Sequence, residues 1–219
     1  MTGQTLDRPT TPLAGHGTRA SNRWRDDRLP GLLLFLLAAQ FMTVIMLAAG
    51  VAPGYDIGGG AISELGAIPE TAALFNLSLL VVGVLNIGAG LLLFGILGGL
   101  GLLSIFALAG IGAIGAAANP LGASGLHSLF ALVAFIGFNV EAIVAGQLAH
   151  GPMRAVSRLS GVIGLVFVVL MVIGDAGNAA AFGPIGHGGT ERMIVYPAML
   201  WLMAFGGYLM AGSAGDVAD

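Results

Sequence analysis

The chain has no cysteine and no lysine among its 219 residues. The first absence excludes disulfides, thiolate metal sites and a cysteine nucleophile. With the second, all eight basic residues are arginine, and no basic run exists on which nucleic acid could be held. Charge of either sign is scarce. Only 9% of the residues are charged, against about 25% in a soluble domain. The scarcity is also uneven. From Thr71 to Val140 there is no Asp, Glu, Lys or Arg, and such a stretch is long enough for three membrane crossings at about 20 residues each. There is no GxSxG nucleophile motif. Glycine runs such as GAGLLLFG lie inside apolar spans, which excludes phosphate loops.

What is present is apolar: 57% of the chain is hydrophobic. Six apolar spans can be drawn, and the expected fold is an all-α integral membrane bundle of six transmembrane helices. The first runs from about Pro30 to Val51, with Pro30 suited to a first helical turn. The second covers Thr71 to Ile96, after Pro69 and Glu70, which suit a helix start. A GGLG turn at Gly98 to Gly101 precedes the third, which ends near Ala118. The fourth covers Leu126 to Leu148, the fifth Leu159 to Phe182 and the sixth Met193 to Ala211. Residues 1–28 are polar and aperiodic and are expected to form a disordered cytoplasmic tail, with 29–212 as the six-helix domain and 213–219 as a short acidic tail. Much of the glycine, 37 residues in all, falls inside the spans. Small residues there let membrane helices approach closely.

Arginine placement sets the orientation. Arg8, Arg19, Arg23, Arg25 and Arg28 precede the first span, and Arg154 and Arg158 lie between the fourth and fifth. Six crossings with those seven inside put both termini in the cytoplasm and the connections near Asp56, Asn119 and His187 outside. Asp56, Ser63, Glu64, Asn76, Asn119, His127, Asp175, Asn178, His187, Glu191 and Arg192 then gather at the outer face, as the candidate lining of one polar pocket. Glu141 is the exception, an acid in the inner half of the fourth span, with Asn86 expected at comparable depth.

Three residues stand out. Asp175 comes about seven residues before the expected end of its span, roughly 10 Å below the helix end. A carboxylate at membrane depth costs about 2.5–3.5 kcal/mol and needs a partner or a function. Asn178, three residues on, shares its helix face. Arg192 opposes the positive-inside pattern, so an acid from another segment is expected beside it: Glu64, Glu70, Asp56 or Asp175. Alternatively it holds a lipid phosphate or a substrate carboxylate. His127 and His187 could join carboxylates at a metal, but no HxxH, HxxxH or HxxEH spacing exists. No metal or cofactor is assigned.

The runs YDIGGGAISELGAIPE, LFNLSLLVVGVL, AAANPLGASGLHSLFALVAF and GTERMIVYPAMLWLMAFGGYLM, in that order, resemble the bacterial and archaeal membrane proteins catalogued as domain of unknown function 998. The resemblance spans about Leu29 to Met210. It places motif positions on Tyr55, Asp56, Ile62, Ser63, Gly66, Pro69, Phe75, Asn76, His127, Glu191, Arg192, Pro197, Trp201 and Gly206. It implies the fold and no established activity.

The expectation is thus a multi-pass protein of the cell membrane, in contact with membrane lipids, whose outward-facing pocket binds a lipid headgroup or small molecule. Two alternatives compete with it. One is a metal-dependent intramembrane lipid hydrolase or transferase using His127, His187, Asp175 and Glu64. The other is a proton-coupled transporter in which Asp175 and Glu141 face one cavity.

Overall fold

A computed structural model describes the backbone of residues 17–212 and the side chains of residues 28–212. Six α-helices carry the fold: α1 (Gly17–Val51), α2 (Pro69–Leu97), α3 (Leu100–Ala118), α4 (His127–Ala145), α5 (Gly151–Asp175) and α6 (Gly186–Ala211). Each contains a stretch long and apolar enough to cross a membrane. The described residues include no strand, as a chain with no water to satisfy its backbone requires. Short 3-10 helices at Ile62–Gly66 and Ala179–Ile185 occupy the connections at one end of the bundle.

The helices form a closed ring. Each packs against its sequence neighbours, α6 returns to α1, and α4 touches α6 across the middle. The surface is the reverse of a soluble protein's: leucines and valines such as Leu77, Leu91, Val166 and Leu200 point outward. Hydrophobicity cannot pull helices together in lipid, so close packing and polar clasps must do it. Both are present. A Cβ built on Gly31 would lie 2.6 Å from the Gly206 carbonyl, and one on Gly206 would lie 2.5 Å from the Gly31 carbonyl. Backbones therefore touch where α1 meets α6. Gln40 and Ser78 exchange hydrogen bonds between α1 and α2. The indole of Trp201 donates to the Ser157 hydroxyl (2.7 Å) between α6 and α5. Asn86 of α2 donates to Glu141 of α4 (2.8 Å) and to the Phe106 carbonyl of α3.

Four boundaries differ from the sequence reading. Helix α5 begins at Gly151, two turns before the expected Leu159, so Arg154 and Arg158 lie on a helix and not in a loop. Helix α1 begins at Gly17, inside the stretch expected to be unstructured, so Pro30 is interior to a helix. The rest of that stretch, 1–16, and the acidic tail, 213–219, lie outside the described residues. Helix α5 ends at Asp175 rather than Phe182, because Gly177 takes a left-handed φ of 110°. The apolar residues that follow fold back, and Phe182 packs on Gly174. Helix α6 starts at Gly186 (φ 68°), two turns before the expected Met193.

Gly206→Val should lower stability by about 1–3 kcal/mol through overpacking at the ring closure. Thermal unfolding in detergent reads the effect. Gly207→Val, where a Cβ meets nothing within 4 Å, should leave the midpoint unchanged.

Candidate functional site

The connection from Val51 to Pro69 is built by its own polar atoms. The Asp56 carboxylate accepts the amides of Gly58 (3.0 Å) and Gly59 (2.8 Å), so an exposed acid closes a turn in which Gly59 and Gly60 lie too close to Asp56 to carry a Cβ. Those two amides hold the Asp56 carboxyl below its ordinary range. Tyr55 reaches back and donates to the Ala61 carbonyl (2.9 Å). Burial raises its hydroxyl above the ordinary value, against the opposing pull of Arg192. Arg192 then fastens this loop to α6. Nη1 donates to the carbonyls of Gly60 (2.9 Å) and Gly188 (2.8 Å), and Nη2 donates to the Tyr55 hydroxyl (2.6 Å). The guanidinium also lies 5.9 Å from the Tyr55 ring centroid. The backbone of Gly188 is so close to Gly60 that no Cβ fits there.

Arg192 therefore does pin the last connection to the first, but no acid receives it. Among the described residues no arginine meets a carboxylate, and the one such contact of a basic side chain is the His187 imidazole with Asp175 (3.2 Å). The expected carboxylate is replaced by two carbonyls and a phenol, and Arg192 does not line the cleft.

Glu191, one residue earlier, points elsewhere and is buried. Its carboxylate accepts the Ile62 amide (2.5 Å), with the amide and hydroxyl of Ser63 beside it. It thereby caps the Ile62–Gly66 helix, whose own preceding residue, Ala61, offers no side-chain cap. At the other end Thr71 donates to the Leu65 carbonyl (2.7 Å) and Asn76 to the Gly66 carbonyl (2.9 Å). Held at both ends, this short helix sinks Ile62 and Leu65 into the ring as a plug.

His127 opens α4 and is 6% exposed. Its Nδ1 lies 2.8 Å from the Asn119 carbonyl. A carbonyl can only accept, so Nδ1 carries a proton, and in the neutral ring Nε2 keeps its lone pair. That Nε2 is buried and has no protein partner. Asn119 is itself fixed, donating to the Gly115 carbonyl and accepting from Ser124.

Two cavities meet at this histidine. The inner one, about 60 Å³, is almost wholly apolar, with Phe41, Phe75, Val82 and Phe138 among its walls. The outer one, about 460 Å³, lies between α4 and α5 beneath the start of α6. Ser63, His127, Ala131, Phe135 and Glu191 line both. Glu64, Asp175 and His187 complete the polar side of the outer cleft. His187 Nε2 lies 3.2 Å from Asp175 Oδ1, and its ring meets the edge of Phe182 with centroids 4.9 Å apart.

Six of the eleven candidate residues thus share the cleft: Ser63, Glu64, His127, Asp175, His187 and Glu191. The others stand around it. Asp56 builds the turn, Asn76 clamps the plug, Asn119 orients His127, and Arg192 fastens the loop. Asn178 is exposed at the start of the Ala179–Ile185 segment, outside the helix whose face it was expected to share. Asp175 is not at depth within a helix. It is the last residue of α5 and 56% exposed. Glu141 is fully buried against Asn86 and lines neither cavity, so the shared proton path with Asp175 has no geometric basis. Among the described residues no three His, Asp or Glu side chains are grouped closely enough to hold a metal ion.

One signal was present and unread. His187 and Glu191 are four residues apart, hence on one face once α6 is seen to begin at Gly186. The apolar lining from Ala131 and Phe135 carried no sequence mark.

The sequence pattern of the family described as "Protein of unknown function (DUF998)" matches residues 23–208. No curated protein and no solved structure matches the chain.

Arg192→Gln removes the charge-assisted bonds to Gly60 and Tyr55 and should cost about 1.5–3 kcal/mol. Limited proteolysis should show faster cleavage within residues 57–61. An unchanged rate would mean that the loop holds its place without the guanidinium.

Proposed function

Because the chain belongs to the DUF998 family of proteins of unknown function, its own geometry must carry any reading, and we propose a multi-pass protein whose outward-facing cleft binds a lipid headgroup or small molecule. The observation that carries it is the junction at His127. A buried imidazole with its tautomer fixed presents a free lone pair where a ligand-sized polar cleft meets an apolar chamber. Ligand sites are concave, mostly apolar and about 300–1,000 Å³, with a few polar groups converging. The 460 Å³ cleft falls in that range.

The source of the ligand is the surrounding lipid. Val172, on the cleft wall, is half-exposed, and Val166, Val169 and Ile173 of the same helix are exposed apolar residues. An amphiphile in the bilayer would thus meet an apolar helix surface that continues onto the cleft wall. The outward direction rests on the arginines. Arg154 and Arg158 of α5 lie at the opposite end of the ring from the plug, as does the N-terminal end of α1. The membrane is the cell membrane on this reading.

Two experiments test it. The chain has no native cysteine, so Ala123→Cys, at an exposed position beside the cleft end, gives one thiol. Intact cells should label it with an impermeant maleimide. Labelling that requires permeabilised cells would reverse the orientation. Ala131→Phe fills the junction of the two cavities. Native mass spectrometry should find an amphiphile retained by the parent protein and absent from this variant. Equal retention in both would remove the cleft as the binding site.

A further inference from the structure

We propose that the cleft selects a cationic amphiphile: an amine head carrying an apolar group, in preference to a phosphate or carboxylate head. The proposal rests on the binding reading above and gives it a charge. Three carboxylates, Glu64, Asp175 and Glu191, line the cleft, and no arginine does. Arg192 is next to Glu191 in sequence, yet adjacent helical residues point about 100° apart. Both of its terminal nitrogens are committed to Tyr55, Gly60 and Gly188. A phosphate entering here would meet Glu64 and Asp175 and no arginine, and the His187 imidazole on the same wall is already engaged by Asp175.

The second observation is independent of the acids. His127 Nε2 is buried without a partner, and the Asn119 carbonyl holds the proton on the opposite nitrogen. The ring therefore offers an acceptor, and a buried acceptor left unmade carries a desolvation cost. An ammonium N–H supplies the missing donor, whereas a phosphate dianion supplies none.

The spacing of the acids fits an organic cation better than a bare metal ion. A structural ion needs three or more ligands within about 2–2.6 Å of one point. No such grouping of His, Asp or Glu exists among the described residues. The negative charge is instead spread along a 460 Å³ cleft. Beyond His127 the walls turn apolar at Phe41, Phe75 and Phe138. That chamber receives a short hydrocarbon group and no charge.

The test uses the full chain in nanodiscs of net-neutral lipid, with three probes of one chain length: dodecylamine, dodecyl phosphate and dodecanol. Binding is read by thermal shift and by competition with bound dodecylamine in native mass spectrometry. Dodecylamine should stabilise the parent protein, and the other two should not displace it. Glu64→Gln combined with Asp175→Asn keeps both shapes and removes two charges. It should weaken dodecylamine binding about tenfold or more, equivalent to about 1.4 kcal/mol, with helical content and elution volume unchanged. If dodecyl phosphate or dodecanol binds as well as the amine, and Ala131→Phe abolishes all three, the cleft stands and the cation preference is wrong. If no probe binds, or Ala131→Phe alters nothing, the binding reading falls and the charge preference with it. Should the double variant misfold, Glu64→Gln alone provides the comparison, and undiminished amine binding by it overturns the assignment of that acid.

Discussion

The carboxylate of Glu191 on the amide of Ile62 joins the first connection of this protein to its last helix. The two residues are 129 positions apart. Everything at that end of the ring is arranged around this bond. The plug helix keeps its start because Glu191 caps it, and the inner chamber keeps its roof because the plug is capped. His127 and Ser63 face each cavity only while that roof is in place. In a low-dielectric interior such a bond is strong when made and costly when missing. It therefore fixes the position of the loop as well as holding it.

A single helix start distributes the contacts. Because α6 begins at Gly186, its first two turns present His187 and Glu191 on one face and Arg192 on another. His187 reaches Asp175 at the end of α5, Glu191 reaches the plug, and Arg192 reaches Tyr55 and Gly60. Charged neighbours in the chain thus serve separate partners. Gly188, between them, is the point where α6 and the first loop touch backbone to backbone. Opposite charges at 191 and 192 look like a local pair in a sequence and are nothing of the kind in the fold.

The six-helix architecture was legible because hydrophobic runs of membrane length have few other uses. The turn at Gly98 and the start of α2 at Pro69 were legible for the same local reasons that make them form. The end of α5 was not. Ala179 to Phe182 is as apolar as the helix before it, and only the left-handed Gly177 separates them. That misplacement carried Asp175 into the membrane and Asn178 onto its face. At the candidate site, the end of the bundle that carries the polar residues follows from counting spans. Which of them meet depends on the rotation of each helix, and periodicity is weak where a helix is apolar all round. Hence Arg192 was matched to an acid when its partners are a phenol and two carbonyls.

The ring of helices also has a direction in time. Neighbours in sequence are neighbours in space for five of its six seams, and these can form as the chain emerges. The sixth seam, α1 against α6, joins the first helix made to the last. Until α6 arrives, the Gly31 stripe of α1 faces lipid or another chain, and the Ile62–Gly66 segment has no cap. The roof of the chamber is thus completed by the same event that closes the ring. An unfinished or misassembled chain lacks the cleft wall that α6 supplies, so its synthesis and the proposed site reach completion together.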